Sequence, residues 1–515
     1  MKKNKVFLVT YGIAPESGGV TVATFNQSKM FTDAGYDVSI TSFDFQPQYE
    51  EIFNELKGMN RVYNDVHHIN KYEYYAELNT LSNHINTDLY DSELPVETAE
   101  YLYTVDKDDA NVIHYFKDGA LTKTKYYNED KDKLIAVEYI DAIRNIEYRI
   151  DFSPRKYVLR KQFYSSATKN VARESFYTSD GYCYMTRYHD EEGNPGQVFL
   201  FDRNSNEVIH FNGNRAHDKH WLNEIAVKYR IGKNLPLFIT NGQGSGLKVM
   251  AVDKKKAVRA YFVHNNHFEA PYTYGSKVKA KYNDVFSKIK KLDALIVLTE
   301  KQKEDIQRQY GDHNNIYVIP NAITIAEHEP VQKNENEVIM VTRLEPQKNL
   351  QRAVEMFHLV TNEIPDAKIN IFGKGRELSK LEDSIKKHNM ENHIFLRGYS
   401  KDIKQEIKKA TLSLLTSNYE GLPLAAVESL QHGTPVVTYD FNYGATDIVD
   451  NETSGFVVEL ENKEKLAEKI IYLLRNKDIA LKMGEEGRKQ VVSKYSNEVV
   501  LGKWVDMLES LSRKA

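Results

Sequence analysis

Glu420 and Glu428 are two carboxylates with seven residues between them, in the stretch Ser417-Asn418-Tyr419-Glu420-Gly421-Leu422-Pro423-Leu424-Ala425-Ala426-Val427-Glu428. The first falls in a Gly/Pro loop after an apolar strand, and the second inside the helix that follows. Open α/β sheets bind ligands at the carboxyl ends of their strands, so both acids are expected to line one cleft. Taken alone, the pair resembles the acid and nucleophile of a glycoside hydrolase.

Other residues add cations and close backbone. Arg343 and Lys348 sit five apart in Arg343-Leu344-Glu345-Pro346-Gln347-Lys348, one ending a strand and the other just before a helix. Two cations across such a turn can hold a diphosphate and stabilise it as a leaving group, although the same residues also suit a solvated loop. Gly18-Gly19 joins the first strand to the first helix, and Phe372-Gly373-Lys374-Gly375 forms a similar turn later in the chain. Glycines there let a backbone approach a ligand, and the helix amino terminus offers free N–H groups. Neither turn is a G-x-G-x-x-G fingerprint, which counts against a nicotinamide enzyme. His264-Asn265-Asn266-His267 follows a strand with no acid or cysteine at ligand spacing, so hydrogen bonding is expected of it rather than metal binding.

These residues need a scaffold of strands with helices between them. Lys5 to Thr10, a Gly-rich turn, a helix bearing Ala23, Met30, Phe31 and Ala34 on one face, and Val38-Ser39-Ile40 make one βαβ unit. From about 76 to 215 the pattern becomes short segments rich in Tyr, Phe, Val and Thr, broken by turns such as Lys117-Asp118-Gly119, which indicates an antiparallel β insertion. Asp106-Lys107-Asp108 and Asp130-Lys131-Asp132 mimic a metal motif there but are read as solvated turns. Apolar runs at 237–240, 258–263 and 294–298 read as buried parallel strands, and a second βα series begins at Val338 after an acidic linker. The expected fold is α/β, with two Rossmann-like domains facing a cleft. Residues 1–75 and 216–325 form the first, 76–215 its insertion, 326–494 the second, and 495–515 a terminal amphipathic helix crossing back.

The chain has 515 residues, 41% of them hydrophobic and 28% charged, and a net charge of −4. That charge offers no global field for nucleic acid. No apolar run approaches the length of a membrane span, and Val6 to Thr10 is too short for a signal-peptide core, so a cytoplasmic protein is expected. A lone Cys183 precludes an internal disulfide.

Together these elements resemble the retaining glycosyltransferases of family four with the GT-B fold. The resemblance rests on Gly18-Gly19, the post-strand histidine, Pro320-Asn321-Ala322-Ile323, Arg343 with Lys348, the Gly373 turn, and Glu420 with Glu428. It implies that Arg343 and Lys348 hold the donor's diphosphate and Glu428 its ribose. Glu420, with Gly421 and Leu422, would contact the transferred sugar, and the backbone near Arg397-Gly398-Tyr399 the base. His267 or His264 would lie beside sugar and acceptor. Among such enzymes the chain is most similar to the wall teichoic acid α-glycosyltransferases of Gram-positive bacteria, which share the long β insertion, a His-x-Asn-His segment and Tyr419-Glu420-Gly421. Two departures stand out: Phe268 follows His267, and Asn241 occupies a position where Asp is expected.

That resemblance implies a UDP-sugar donor, no metal or other cofactor, a homotrimer built on the insertion, and a polyol-phosphate acceptor. The expected reaction is transfer of glucose to poly(glycerol phosphate). N-acetylglucosamine onto poly(ribitol phosphate) or onto a Ser-rich surface protein is the alternative, and a non-catalytic polymer-binding scaffold the second one. Lys254-Lys255-Lys256, Lys288 to Lys291, and Arg155-Lys156 with Arg160-Lys161 are the basic patches considered for the anionic polymer. The terminal helix suits either the inner membrane surface or packing back across the domains, the latter being the GT-B arrangement.

Overall fold

The computed structural model describes residues 3–14, 19–97, 100–241, 244–325, 331–400 and 402–512. Among these, β1 (Lys5–Val9) is buried along its whole length. Val6 and Leu8 enter one core and Phe7 and Val9 another, which is why the strand reads as an unbroken apolar run. It pairs in parallel with β2 (Asp37–Ser42), which pairs with β3 (His67–Asn70). On its other side lie β14 (Leu237–Thr240), β15 (Val258–Phe262), β16 (Ala294–Val297) and β17 (Ile316–Val318), all parallel, in the order β17-β16-β15-β14-β1-β2-β3. The strand order reverses between β1 and β14, which opens a crevice at their carboxyl ends.

The second parallel sheet comprises β18 (Glu337–Val341), β19 (Lys368–Phe372), β20 (Ile394–Gly398), β21 (Leu412–Leu415), β22 (Val436–Tyr439) and β23 (Gly455–Val458), in the order β20-β19-β18-β21-β22-β23. Its reversal falls between β18 and β21. Two doubly wound sheets facing a cleft is the GT-B fold.

Between β3 and β14 the described residues form ten strands, from β4 (Leu102–Val105) to β13 (Glu207–Phe211), each antiparallel to its sequence neighbour. Asp118 and Gly119, at φ 50° and 79°, make one of the tight hairpins. Asp106 accepts from the backbone N–H groups of Asp108 and Asp109 and lies 3.0 Å from His114 Nε2, so its carboxylate builds a turn. Arginines and acids alternate across successive strands: Arg149 bridges Glu138 and Asp151, Arg160 bridges Asp151 and Glu174, and Arg187 also reaches Glu174. Arg155 pairs with Glu50 at 2.8 Å, so the patch considered for a polymer at 155–161 has its arginines already neutralised.

The final helix, Asn497–Ser512, returns to the first domain. Its Trp504 is buried with ring centroids 5.6 Å from Phe31 and 6.0 Å from Phe262. Among the described residues no helix is long and apolar enough to cross a membrane.

Candidate active site

The two strand-order reversals face each other, and the chemistry-bearing residues cluster at them. Leu412–Leu415 is apolar and buried, and the loop after it turns back through Gly421 and Pro423 into the helix Leu424–Gln431. Glu420 in that loop is buried and held on both oxygens. Oε1 accepts from Lys348 Nζ and, at 2.7 Å, from Ser417 Oγ; Oε2 accepts from Gln347 Nε2 at 3.0 Å. Lys348 and Gln347 belong to the single turn Pro346–Lys348 that precedes the helix Leu350–Glu363. An ammonium there stands at a positive helix end, which adds to its pull on an anion.

Arg343 lies two residues past the end of β18, at the start of the loop, and is exposed, with no ion pair among the described residues. It stands close enough to the Tyr419 phenol to act on its electrostatics. Gly373, at φ 147°, is forced by contact: a Cβ there would lie 1.8 Å from the Thr342 carbonyl oxygen. Gly375 is equally constrained against the Leu344 carbonyl. These glycines clamp the Arg343 loop onto β19.

Glu428 is partly exposed, and its carboxylate has no side-chain partner among the described residues. Burial pushes its pKa up to about 7, with Lys404 opposing. A carboxylate so destabilised is primed for ligand hydroxyls, which would favour its charged form.

From the first domain, His264 follows β15 and Asn241 follows β14. Asn241 Nδ2 donates to Gln27 Oε1 at 2.7 Å, and its Oδ1 lies 3.0 Å from His264 Nε2. With Oδ1 the acceptor, Nε2 carries the proton and Nδ1 keeps its lone pair, which is buried without a partner. Burial pushes the His264 pKa down to about 4, and an Asn rather than an Asp beside it adds no charge to resist that.

The two halves touch at this point. A Cβ on Gly421 would stand 2.3 Å from the His264 carbonyl oxygen. Tyr272 lies tilted against Tyr419 with ring centroids 4.1 Å apart, and Lys279 Nζ is over the Tyr419 ring at 4.4 Å. Asn266 donates to the Tyr272 and Asn442 carbonyls, at 2.9 and 3.0 Å. Burial, then Lys281, lowers the Lys279 pKa to about 8. Sequence reading missed Tyr272, Lys279, Ser417, Gln347 and Asn442.

Several expected residues lie elsewhere or act otherwise. His267, expected beside the sugar, is fully buried among Phe268, Phe286 and Tyr443, with burial and then Lys279 taking its pKa to about 3. Its ring stacks on Tyr443 of the second half, so His267 is the deeper and His264 the shallower of two imidazoles at the seam, and each keeps one buried nitrogen without a partner among the described residues. Lys254, Lys255 and Lys256 form the turn entering β15 at its amino end, opposite the cleft, which removes them from the acceptor path. The Arg397 guanidinium donates to Asn370 Oδ1 at 2.7 Å and lies over Phe395, so it braces the sheet. The backbone of Gly398 remains at the rim, where its carbonyl accepts from Gly373 N–H at 2.7 Å. Tyr399 is exposed and receives a hydrogen bond from Arg61 of the first domain at 3.0 Å. Leu422 is buried beneath the loop. Gly19 is the exposed first residue of the helix Gly19–Asp33, and Gly18 lies outside the described residues. Among the described residues no group of three or more His, Cys, Asp or Glu is placed to hold a metal ion.

Comparison with known proteins is consistent with this geometry. The profile of glycosyl transferases group 1 matches residues 322–490. The chain is 28% identical over 512 residues to the poly(ribitol-phosphate) alpha-N-acetylglucosaminyltransferase of Staphylococcus aureus, covering 98% of this chain and 100% of that protein. It is 26% identical over 529 residues to the poly(glycerol-phosphate) alpha-glucosyltransferase of Bacillus subtilis, covering 98% and 75% respectively. The crystal structure of an S. aureus TarM mutant in complex with Fondaparinux, alpha-GlcNAc-glycerol and UDP superposes with a TM-score of 0.86 at 26% identity, over 98% of this chain and 99% of the other.

Proposed function

We propose that this chain, a glycosyltransferase with the GT-B fold, moves a hexose from a UDP-sugar to hydroxyls of a polyol-phosphate teichoic acid, with retention and an α-linkage. The observation that carries the reading is the meeting of Arg343, Lys348, Glu420 and Glu428 at one sheet's reversal, opposite His264 at the other. Arg343 and Lys348 take the diphosphate, whose charge grows as the glycosidic bond breaks. Glu428 accepts from the ribose hydroxyls. Glu420 is occupied on both oxygens by Lys348, Ser417 and Gln347, so it positions the sugar rather than attacking it. The departing phosphate oxygen then receives the acceptor's proton on the donor's own face. No metal or other cofactor enters this scheme.

The insertion is proposed to self-associate. Its edge strand β4 exposes Leu102, Tyr103 and Val105, an apolar edge of the kind that pairs with another chain.

Two donor and acceptor pairs are weighed. Glucose onto poly(glycerol phosphate) is the pair the family resemblance suggested; N-acetylglucosamine onto poly(ribitol phosphate) gains support from a relative aligned over its full length under that name. Incubating the chain with each UDP-sugar and each polymer, and following sugar incorporation, separates them. Incorporation into neither polymer from either donor would overturn the proposal.

Glu428 supplies a second check. Ribose hydroxyls stabilise its charged form, so UDP binding lowers its pKa and releases a proton. UDP affinity should therefore rise with pH through about 7, and Glu428→Gln should remove the part of that rise not due to the nucleotide's own phosphate. Calorimetric titration between pH 6 and pH 8, values chosen about one unit either side of that pKa, measures it; identical pH profiles for parent and variant would exclude the ribose role.

A further inference from the structure

A separate cavity of about 450 Å³ lies where the loop after β2 and the helix Lys71–Asn79 meet the insertion. It sits beyond the edge strand β3, away from the two strand-order reversals. One wall carries Glu73 and Glu77, a single turn apart on one helix face, with Glu50 beside them. Like charges at this spacing repel. Burial and Glu73 together raise the Glu77 pKa, with Lys228 opposing. Arg155 also lines the cavity but is bound to Glu50 at 2.8 Å. His68 lies 3.5 Å from Glu73 through Nδ1, with its Nε2 2.9 Å from Ser42 Oγ.

Tyr157, Tyr177 and Tyr184 form the facing wall. Tyr184 is only 3% exposed and lines the cavity, and its hydroxyl makes no hydrogen bond among the described residues. That oxygen is not sealed in the core, so it is free to hydrogen-bond a molecule in the cavity.

We propose that this cavity is a binding site for a small polar ligand bearing a protonated amine, its ammonium seated against Glu73 and Glu77 and its body on the tyrosine wall. Three carboxylates against one already paired guanidinium repel a nucleoside diphosphate or a polyol phosphate, so neither substrate of the proposed reaction fits. A neutral sugar would leave the Glu73/Glu77 repulsion unrelieved. An ammonium relieves it, gains from the aromatic faces, and leaves ring hydroxyls for Tyr184. The assignment does not depend on which donor the enzyme uses.

Glucosamine and glucose share a ring and differ in the amine, which makes them the probes. In titrations of the full chain, glucosamine should bind about tenfold or more tightly than glucose, and its binding alone should weaken as salt is raised. Glu73→Gln with Glu77→Gln should bring glucosamine down to the level of glucose, with a thermal melt confirming that the variant is folded. Tyr184→Phe should weaken binding with the preference for the amine retained. Equal binding of the two sugars would mark a neutral saccharide pocket and overturn the proposal. So would glucosamine binding indifferent to salt and to the two glutamates, or none up to about 10 mM, the weak end of specific association.

Discussion

Arg343→Ala should lower the turnover number for sugar transfer by about 10²- to 10³-fold, the usual loss when a donor aimed at developing negative charge is removed, and leave the melting temperature unchanged. The contrast follows from its surroundings. The guanidinium is exposed and without an ion pair among the described residues, so the folded chain without ligand owes it little. Lys348 is different, because it is a partner of buried Glu420. Removing it would leave a carboxylate uncompensated, at a cost of about 3 to 5 kcal/mol, and activity and stability would fall together. Arg343 isolates the chemistry. Steady-state kinetics beside a thermal melt decides the matter, and an Arg343→Ala enzyme with parental turnover would end the diphosphate assignment. Arg343→Lys should recover part of the rate, since the charge remains but the forked geometry does not.

Gly421→Ala is the second large effect. Its Cβ would stand 2.3 Å from the His264 carbonyl oxygen and 2.9 Å from Asn265 Cα, both main-chain atoms that cannot swing aside. The loop carrying Glu420 must then move away from the first domain. Misplacement by about 1 Å costs about 10²-fold in rate, so transfer should fall at least that far. Binding of UDP should fall much less, because Arg343 and Glu428 lie outside the contact. A methyl group tolerated at normal turnover would show that the cleft works without this seam closed.

The fold was largely legible because its signals are local. Buried parallel strands such as Val258–Phe262 are continuous apolar runs, and hairpins such as Asp118-Gly119 carry their turn chemistry in two residues. Glu420 and Glu428 were placed by the same logic, in the loop after an apolar strand and in the next helix. What escaped depends on contacts distant in sequence. His264 and His267 look alike in His-Asn-Asn-His, and only packing against Phe286 and Tyr443 shows His267 to be the more deeply buried of the two. Lys254 to Lys256 look like a polymer site until the direction of β15 places them at the far end of the sheet. Tyr272 meets Tyr419 across 147 positions, and no spacing rule covers that distance.

Ile323, shortly before the chain first crosses between its halves, lies beside Tyr495 and Ser496, where the chain turns back. Ile323 donates its N–H to the Tyr495 carbonyl at 2.9 Å and bridges to Ser496, just before the last helix turns back. Paired crossings of this kind act as the spine of a book. Sliding one half along the other would break the Ile323–Tyr495 bond, whereas rotation about the spine keeps it. The contact of Gly421 with His264 is then a fore-edge clasp, and admission of a nucleotide-sugar is a question of the angle at which the covers stand.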